Sequence, residues 1–470
     1  MTRGHLAVHA HFYQPSRIDP WTGRVPEEPS AAPFHDWNAR VAAECYRPNA
    51  VRGNLERISW NLGPAIAAWL AEHDPETHAR FVAASRNGIA QAFNHAILPL
   101  ASAADRRTEI RWGIRDFELR FGRRPIGMWL PETAVDLATL HILAEEGIRF
   151  TILAPWQSDD PGIDTRHPYR VDLGHGASIV AIFYDAGLST AVSFEPEATS
   201  DASRFARERV AARLAGSGPA GLEGPLGVIA TDGELYGHHQ QFRDLFLEHL
   251  VAPVAGSSER AFEIASLTAR LDGGADRYPP ARIAERTSWS CHHGVARWSA
   301  ECPDAFDGRW KGPLRAALDR LAGGIDEATD AVFSRTPGAP DPWMLRDAYV
   351  DVVVGRLEPT AFAAERLDSV AGAADRERLM ALLEAQRWRL AMFASDGWYW
   401  DDPIRPETKQ ILRCAARAVR IVDDVAGTHL EPRLVADLAL LSSPSRRLDG
   451  AAIYRTALAE IGQPAPAAHP

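Results

Sequence analysis

Cysteine is scarce in this sequence, and its continuous apolar stretches are short. The 470 residues include four cysteines, which are too few and too scattered for a disulfide framework. No window of about twenty apolar residues could span a bilayer, and the N-terminus lacks the apolar run of a signal peptide. The sequence therefore predicts a cytoplasmic protein with reduced thiols and no membrane partner.

Positive charge is also lacking. Lys and Arg number 51 against 62 Asp and Glu, which gives a net charge of -11 at pH 7. Proteins that bind nucleic acid neutralise phosphates with clustered basic residues, so we expect no nucleic-acid partner. Tryptophan is abundant by contrast, with 14 copies against 9 tyrosines. Indole rings fill cores and also stack on the faces of sugars, and composition alone does not separate the two roles.

Short β-rich runs alternate with amphipathic helical segments over the first 270 residues. This alternation is typical of βα units around a parallel sheet. It predicts an α/β fold, in which a closed or nearly closed barrel has fewer than eight strands. The seven predicted strands lie at residues 5–9, 89–93, 126–130, 150–153, 178–184, 226–230 and 262–265.

The pattern changes near residue 275, after which a Trp-, Cys- and His-rich stretch without periodicity leads into segments of helical period. A chain of this length also exceeds what one hydrophobic core usually supports. The predicted domains are a catalytic barrel at 1–280, a loop region at 281–312, a helical C-terminal domain at 313–462, and a flexible tail at 463–470.

Polar and aromatic side chains follow five of the predicted strands. In parallel βα folds the carboxyl ends of the strands meet at one face, where catalytic groups lie. These strand ends therefore supply the candidate site residues: His9, His11, Gln91, His95, Trp129, Glu132, Trp156, Asp232, Glu234, His238 and His239.

Glu132 and Asp232 are the two carboxylates best placed to act as a pair. Cleavage of a glycosidic bond needs one group to protonate the leaving oxygen and another to attack or stabilise the sugar carbon. The pattern leaves a structural alternative open, because a carboxylate after a strand often caps the next helix, and a helical segment follows Glu132.

Five segments resemble, in order, the motifs of glycoside hydrolase family 57. The third and fourth are the most specific, and two departures occur: Phe12 and Tyr13 interrupt the first motif, and Gln91 stands where the family commonly has Glu. The segments are His9-Ala10-His11 with Gln14-Pro15, residues 88–91, Trp129-Leu130-Pro131-Glu132, residues 231–237, and, more loosely, residues 395–400.

The resemblance implies a retaining glycoside hydrolase or transglycosylase that acts on α-1,4-linked glucan without a cofactor or a metal. It implies that Glu132 is the nucleophile, Asp232 the acid/base and Glu234 a neighbour that orients substrate. It also implies a distorted seven-stranded (β/α)7 barrel followed by a helical domain, as in a bacterial subgroup whose C-terminal domain is of unknown function.

Other side chains are weighed as substrate contacts. We expect His11 to contact sugar and His9 to be packed within the barrel. His238 and His239 either bind substrate or begin the next helix. The remaining expected substrate-binding residues are Gln91, His95, Trp129 and Trp156 in the barrel, and Asp396, Trp398 and Trp400 in the helical domain.

Cys291, His292, His293 and Cys302 together suggest a zinc site, because Cys and His are the ligands zinc prefers. Their spacing is not that of a common zinc motif, so the sequence favours an ordered loop. Trp289 in the same stretch is interpreted as a core anchor rather than a sugar platform.

Two other functional classes remain. One is a metal-dependent polysaccharide deacetylase or mannosidase-like enzyme on a related barrel. The other is a glucan-binding protein without turnover, which Gln91 favours and the carboxylate pair disfavours. Whether water or a glucan hydroxyl completes the reaction is not predicted, because loop shape decides it.

Overall fold

The structure, a computed structural model, describes residues 4–216, 224–253, 261–271 and 274–461. The predicted tail at 463–470 lies outside these residues. The chain divides into two compact units, each assembled from separate stretches of sequence. The first unit contains residues 1–14, 33–92 and 120–290, and the second contains residues 15–32, 93–119 and 291–470. This division differs from the contiguous domains that the sequence favours.

All the described strands belong to the first unit. Each of the seven predicted runs contains a strand, and three more are present that the prediction missed: β2, β6 and β10. The strands are β1 (Gly4–Phe12), β2 (Ser59–Leu62), β3 (Ala90–Gln91), β4 (Met128–Trp129), β5 (Phe150–Leu153), β6 (Tyr169–Gly174), β7 (Ala177–Phe183), β8 (Leu226–Asp232), β9 (Phe262–Ile264) and β10 (Pro280–Ala281).

The strands form three ladders. In the first, β1 pairs in parallel with β8 on one side and with β2 and β9 on the other. In the second, β7 pairs in parallel with β5 and antiparallel with β6, and β6 pairs in parallel with β10. The third is the parallel pair of β3 and β4. Nearly every strand interior is buried, as in sheets covered on both faces.

Isolated contacts join the ladders. Single parallel bridges link Trp60 to Gly88 and Gly127 to Phe150, and Asp185 N donates to Val228 O at 2.8 Å. Among the described residues, strand pairing therefore does not close a continuous barrel, and the strands form three ladders in an α/β unit.

The helices of the first unit cover the sheets. Asp74, Asp136 and Asp185 cap three of them, each accepting a backbone N–H of the first turn. The α-helices are Trp37–Val41, Arg47–Val51, Pro64–His73, Pro75–Ala83, Leu137–Glu145, Ala186–Phe194, Ala202–Phe205, Ala211–Arg213, Arg243–Val251 and Leu267–Arg270, and π-helical turns span Ala42–Tyr46 and Ala206–Val210. Short 3₁₀ turns span Ser85–Asn87, Pro131–Thr133, Pro155–Gln157, Gly233–Leu235 and Ala275–Arg277.

The described part of the second unit is helical and contains no strand. Its longest helix, Lys311–Arg335, buries Leu314, Leu318 and Leu321 along one face, as the helical period predicts. No helix among the described residues is long and apolar enough to cross a membrane. The helices are Ala103–Phe121 (its last two residues counted with the first unit), Lys311–Arg335, Pro342–Ala348, Val350–Val353, Pro359–Arg366, Ala373–Ala391, Asp396–Tyr399, Pro406–Ala426, Leu430–Leu438 and Gly450–Ala459, with 3₁₀ turns at Pro29–Ala31, Leu98–Leu100 and Ala296–Trp298.

Candidate active site

Glu132 lies in a strained turn directly after β4. Its φ is 56°, and that of Thr133 is 49°, so two consecutive residues with side chains occupy the left-handed region. Such conformations cost of the order of 1–3 kcal/mol each and persist only where the surroundings impose them. The turn directs the Glu132 carboxylate to two donors: Trp289 Nε1 at 3.0 Å and Ser290 Oγ at 2.5 Å from Oε2.

The structure decides against the helix-capping alternative for Glu132. The next helix, Leu137–Glu145, is capped by Asp136, whose carboxylate accepts from Thr139 N at 2.7 Å. The two donors on Glu132 also lie far from it in sequence, at positions 289 and 290. The Glu132 carboxylate therefore does not cap this helix.

Gln157 fixes the strained turn through hydrogen bonds to Thr133. Its side chain is fully buried, and Oε1 accepts from Thr133 Oγ1 at 2.7 Å and from Ala154 N at 2.8 Å. Its Nε2 donates to Thr133 O at 2.8 Å and to Thr287 O at 3.1 Å. One amide thus ties the Glu132 turn to the turn after β5 and to the segment that carries Trp289. The sequence prediction did not single out Gln157.

Asp232 is the last residue of β8 and pairs in register with His11 of β1. Its side chain reaches solvent, yet the protein that surrounds it removes enough water to raise the pKa of the carboxyl to about 6. The Tyr184 hydroxyl lies near enough for the Asp232 charge to add to the effect of burial and raise the pKa of that phenol. Asp232 is thus a carboxyl that retains its proton closer to neutrality than an ordinary Asp.

Trp289 connects the surroundings of the two carboxylates. Its indole donates to Glu132, and its ring lies 6.4 Å from that of Tyr184, the neighbour of Asp232, with the planes nearly perpendicular. It also packs edge-on against Trp129, at 5.0 Å between centroids. Trp289 is therefore more than the core anchor that the sequence predicts, because its indole N–H donates to the Glu132 carboxylate. The sequence pattern does not predict the contact between Trp289 and Glu132.

His9 and His11 share one face of β1, as the spacing of two predicts. Both rings stack on Trp129 at 4.9 Å, and the Asn61 amide lies between them, 3.1 Å from His9 Nε2 and 2.9 Å from His11 Nδ1. His9 also hydrogen-bonds to Ser59 Oγ at 3.0 Å. Burial lowers the pKa of both rings to about 3, so both are neutral. His11 is as packed as His9.

Trp129 and Gln91 lie beneath the candidate site rather than at its surface. Trp129 has no exposed surface, so the expectation that it stacks on sugar is corrected: both β1 histidines stack on its ring. Gln91 is 3% exposed, and its Oε1 accepts from Asn61 Nδ2 at 2.8 Å. No partner for Gln91 Nε2 is present among the described residues.

Glu234 is buried two residues after Asp232. Its Oε1 accepts from Tyr13 N at 3.0 Å and from the Tyr46 hydroxyl, and burial raises its pKa to about 8. The residues that interrupt the first motif thus belong to this cluster, since Tyr13 bonds Glu234 and the Phe12 ring packs against Tyr46. Glu234 is therefore buried, and its expected substrate contact stays a prediction.

Three other expected contacts of the first unit differ in accessibility. Trp156 is 48% exposed, and its indole N–H donates to Ser288 O at 3.0 Å, which leaves a fixed ring at the surface. His239 is exposed, whereas His238 is half-buried and hydrogen-bonds through Nδ1 to Glu44 at 2.5 Å.

The remaining expected contacts belong to the second unit. His95 is buried, and its Nδ1 lies 2.7 Å from Ser395 Oγ, next to Asp396. Trp398 is 1% exposed and donates to Lys311 O at 3.3 Å, so its expected stacking on sugar is corrected to a packing role. Trp400 is 43% exposed and lies beneath the Arg405 guanidinium.

Comparison with known proteins finds two family matches. Residues 88–275 match glycosyl hydrolase family 57, and residues 307–462 match a domain of unknown function, DUF3536. No curated protein matches the sequence.

Three solved structures show the same fold at low sequence identity. An exo-type maltose-forming amylase from Pyrococcus sp. ST04 has a TM-score of 0.73 and 15% identity, over 92% of this chain and 82% of that one. A branching enzyme from Thermococcus kodakaraensis has a TM-score of 0.58 and 15% identity, over 98% and 94%. A 4-alpha-glucanotransferase from Thermococcus litoralis has a TM-score of 0.57 and 13% identity, over 89% of this chain and 60% of that one.

Proposed function

We propose that this chain, of which residues 88–275 match glycosyl hydrolase family 57, is a retaining enzyme of that family in which Glu132 is the nucleophile and Asp232 the acid/base. The observation that carries the proposal is the arrangement of two carboxyl groups, each at the end of a parallel strand, around one aromatic cluster. Glu132 is oriented by two donors in a strained turn, and Asp232 has a raised pKa. Their different surroundings suit two different roles.

In the first step Asp232 donates its proton to the glycosidic oxygen while Glu132 attacks the anomeric carbon. The bond to the leaving sugar breaks, and a glycosyl ester forms on Glu132. Two donors on one oxygen of Glu132 fix the carboxylate and favour attack in a single direction. A covalent intermediate requires the two carboxyl groups to lie about 5 to 5.5 Å apart, and we expect that separation here.

In the second step the Asp232 carboxylate removes a proton from the incoming hydroxyl, which attacks the anomeric carbon and releases Glu132. Two inversions give net retention. Water as the acceptor gives hydrolysis, and a glucan hydroxyl gives transfer. Neither step needs a metal or a cofactor, because proton transfer and carboxylate attack require only the two carboxyl groups.

The proposed substrate is α-1,4-linked glucan. The similar structures are described as a maltose-forming amylase, a glucanotransferase and a branching enzyme, all enzymes of glucan chemistry. Trp156 supports this class, because an exposed indole fixed through its N–H presents a flat face on which a sugar ring can stack. In the second unit, Asp396 and the exposed Trp400 remain the proposed contacts.

A deacetylase-like chemistry at the end of β1 is less well supported. A cation there would be expected to use His9 and His11, yet the Asn61 amide engages both rings, and both stack on Trp129. These contacts suit a packed, neutral floor better than a ligand set.

Incubation with amylose, maltooligosaccharides and glycogen tests the proposal. Resolving products by chain length and linkage separates hydrolysis, transfer and branching. Glu132→Gln protein is the matched control, because it keeps the size of the side chain and removes the nucleophile. Turnover of none of these glucans by the folded wild-type protein, or equal turnover by Glu132→Gln, would contradict the proposed function.

A further inference from the structure

Four metal-ligating side chains of the second unit converge within the stretch 291–304. Cys291 Sγ and Cys302 Sγ lie 3.4 Å apart, and His293 Nδ1 lies 3.7 Å from Cys302 Sγ. Asp304 Oδ1 completes the group at 3.4 Å from His293 Nδ1. All four ligand atoms lie within 4.8 Å of one another. The fold thus brings His293 and Cys302, which are nine positions apart in the sequence, close together.

We propose that Cys291, His293, Cys302 and Asp304 bind one zinc ion. Two thiolates, one imidazole and one carboxylate oxygen form a four-ligand set typical of tetrahedral zinc. Each half of the stretch supplies two ligands that are separated by a single residue, in the order Cys-x-His and Cys-x-Asp. The three distances given above match the corresponding edges of such a tetrahedron to within about half an ångström, given Zn–S bonds of about 2.3 Å.

Burial and backbone contacts suit a closed, structural site. Cys291 and Cys302 are 3% and 1% exposed, so the sulfur side faces the interior. The side chains of His293 and Asp304 are 44% and 20% exposed, which leaves a path for the ion. The second Asp304 oxygen accepts from His292 N at 2.9 Å, a contact that fixes the carboxylate as outer partners fix metal ligands.

Lys311 supplies the charge that such a site needs. Its side chain is fully buried, and among the described residues no hydrogen-bond partner is present for Nζ. The ammonium interacts electrostatically with Asp401 as well as with Cys302 and Cys291. Three negative ligands exceed the charge of a divalent ion by one, and the positive charge of Lys311 offsets that excess. A buried ammonium without negative groups nearby would be costly, and the two thiolates would add to the charge of Asp401.

Metal analysis of the full-length protein tests this site. Wild-type protein expressed with zinc in the medium and purified without chelator is expected to carry about one zinc per chain. Cys302→Ser protein is expected to lose it. Cys414→Ser is the matched control, because Cys414 is equally buried but lies in the helix Pro406–Ala426, away from this group. This control is expected to keep its zinc.

Cobalt binding keeps the test decisive if Cys302→Ser fails to fold. Wild-type protein stripped with chelator and given Co²⁺ is expected to show tetrahedral d–d bands and a thiolate-to-cobalt charge-transfer band. Wild-type protein that binds neither ion would overturn the proposal. So would zinc retained by folded Cys302→Ser, or a disulfide between Cys291 and Cys302 in freshly purified wild-type protein.

Discussion

Asp232 combines solvent contact with a pKa of about 6, which is the property that a general acid needs near neutral pH. Because the acid must be protonated in the free enzyme, kcat/KM is expected to fall as pH rises through about 6. Asp232→Asn cannot donate the proton and is expected to lower kcat by about 10²- to 10⁴-fold for glucan. Initial rates between pH 4.5 and 8.5 measure both effects.

An activated substrate supplies the control for this prediction. A glycosyl fluoride has a leaving group that needs little protonation, so its first step is expected to survive in Asp232→Asn. A wild-type profile that stays flat across pH 6, or equal losses of the first-step rate on glucan and fluoride, would argue against Asp232 as the acid.

Glu234 makes stability depend on pH. Its pKa is raised by burial to about 8, well above its value in an unfolded chain, so the folded state retains a proton that the unfolded state releases. This contribution is fully present below about pH 4.5 and is lost as pH rises towards 8, by up to about 1.4 kcal/mol per pH unit. Glu234→Gln is expected to flatten this decline in denaturant unfolding at pH 5, 6.5 and 8. The same decline in both proteins would show that Glu234 titrates normally.

The turn at Pro131–Thr133 is the element on which the proposed nucleophile depends. Gln157 holds this turn, because its buried amide makes five hydrogen bonds, two of them to Thr133. Gln157→Ala is expected to lower kcat by about tenfold to a hundredfold with little change in KM, since small misplacements of a reacting group have effects of that size. Steady-state kinetics on a maltooligosaccharide measure this split between kcat and KM.

Gln386 offers a matched control for that variant. It is also fully buried, and its Nε2 donates to Asp326 at 2.9 Å in the helical unit. Both Gln→Ala variants are expected to reduce the free energy of unfolding, by about 1–3 kcal/mol for lost buried hydrogen bonds. A fall in kcat in both, or in neither, would show that Gln157 supports the fold without positioning Glu132.

Periodicity and composition predicted the apolar strands well and the polar ones poorly. Phe150–Leu153 has the predicted bounds, because a run of apolar and β-branched residues signals a buried strand. Ser59–Leu62 was missed, because Ser59 and Asn61 are polar side chains that bind the β1 histidines instead of packing apolar surface. The polar residues of β2 therefore reflect its contacts with the β1 histidines beneath the candidate site.

The positions of the two carboxylates after strands could be predicted, but their hydrogen-bond partners could not. Glu132 and Asp232 follow apolar strands, which is a local signal. Trp289 and Ser290 lie more than 150 positions from Glu132 in a stretch without periodicity, so only the fold brings them together. The sequence did not identify Asp304 as a ligand, because Cys and His indicate a metal site more readily than a single acidic residue does.

At the scale of the whole molecule, the two units are not consecutive in the chain. Residues 15–32 and 93–119 belong to the second unit although they precede much of the first. Sequence composition changes only near residue 275, so it could not reveal these two segments. Contacts such as that of Trp112 Nε1 with Arg346 O at 3.0 Å hold residues 93–119 in the helical unit.

Chelation separates the role of a structural metal from the proposed chemistry. We expect a strong chelator to lower the Tm of the protein, because an ion that binds only the folded state stabilises it. The folded fraction is expected to keep its turnover, since Glu132 and Asp232 need no metal. Thermal unfolding and activity at a temperature well below Tm, measured on the same samples, check both. Loss of turnover without any fall in Tm would place a metal in the reaction.

Trapping the glycosyl-enzyme tests the central claim most directly. Asp232→Asn protein mixed with α-maltosyl fluoride is expected to complete the first step and to stall before the second, because the base is missing. Proteolysis and mass spectrometry should then find one maltosyl group on the peptide that contains Glu132, and none in the Glu132→Gln/Asp232→Asn protein. A maltosyl group on a different residue, or wild-type protein that releases the inverted anomer first, would contradict the proposed mechanism.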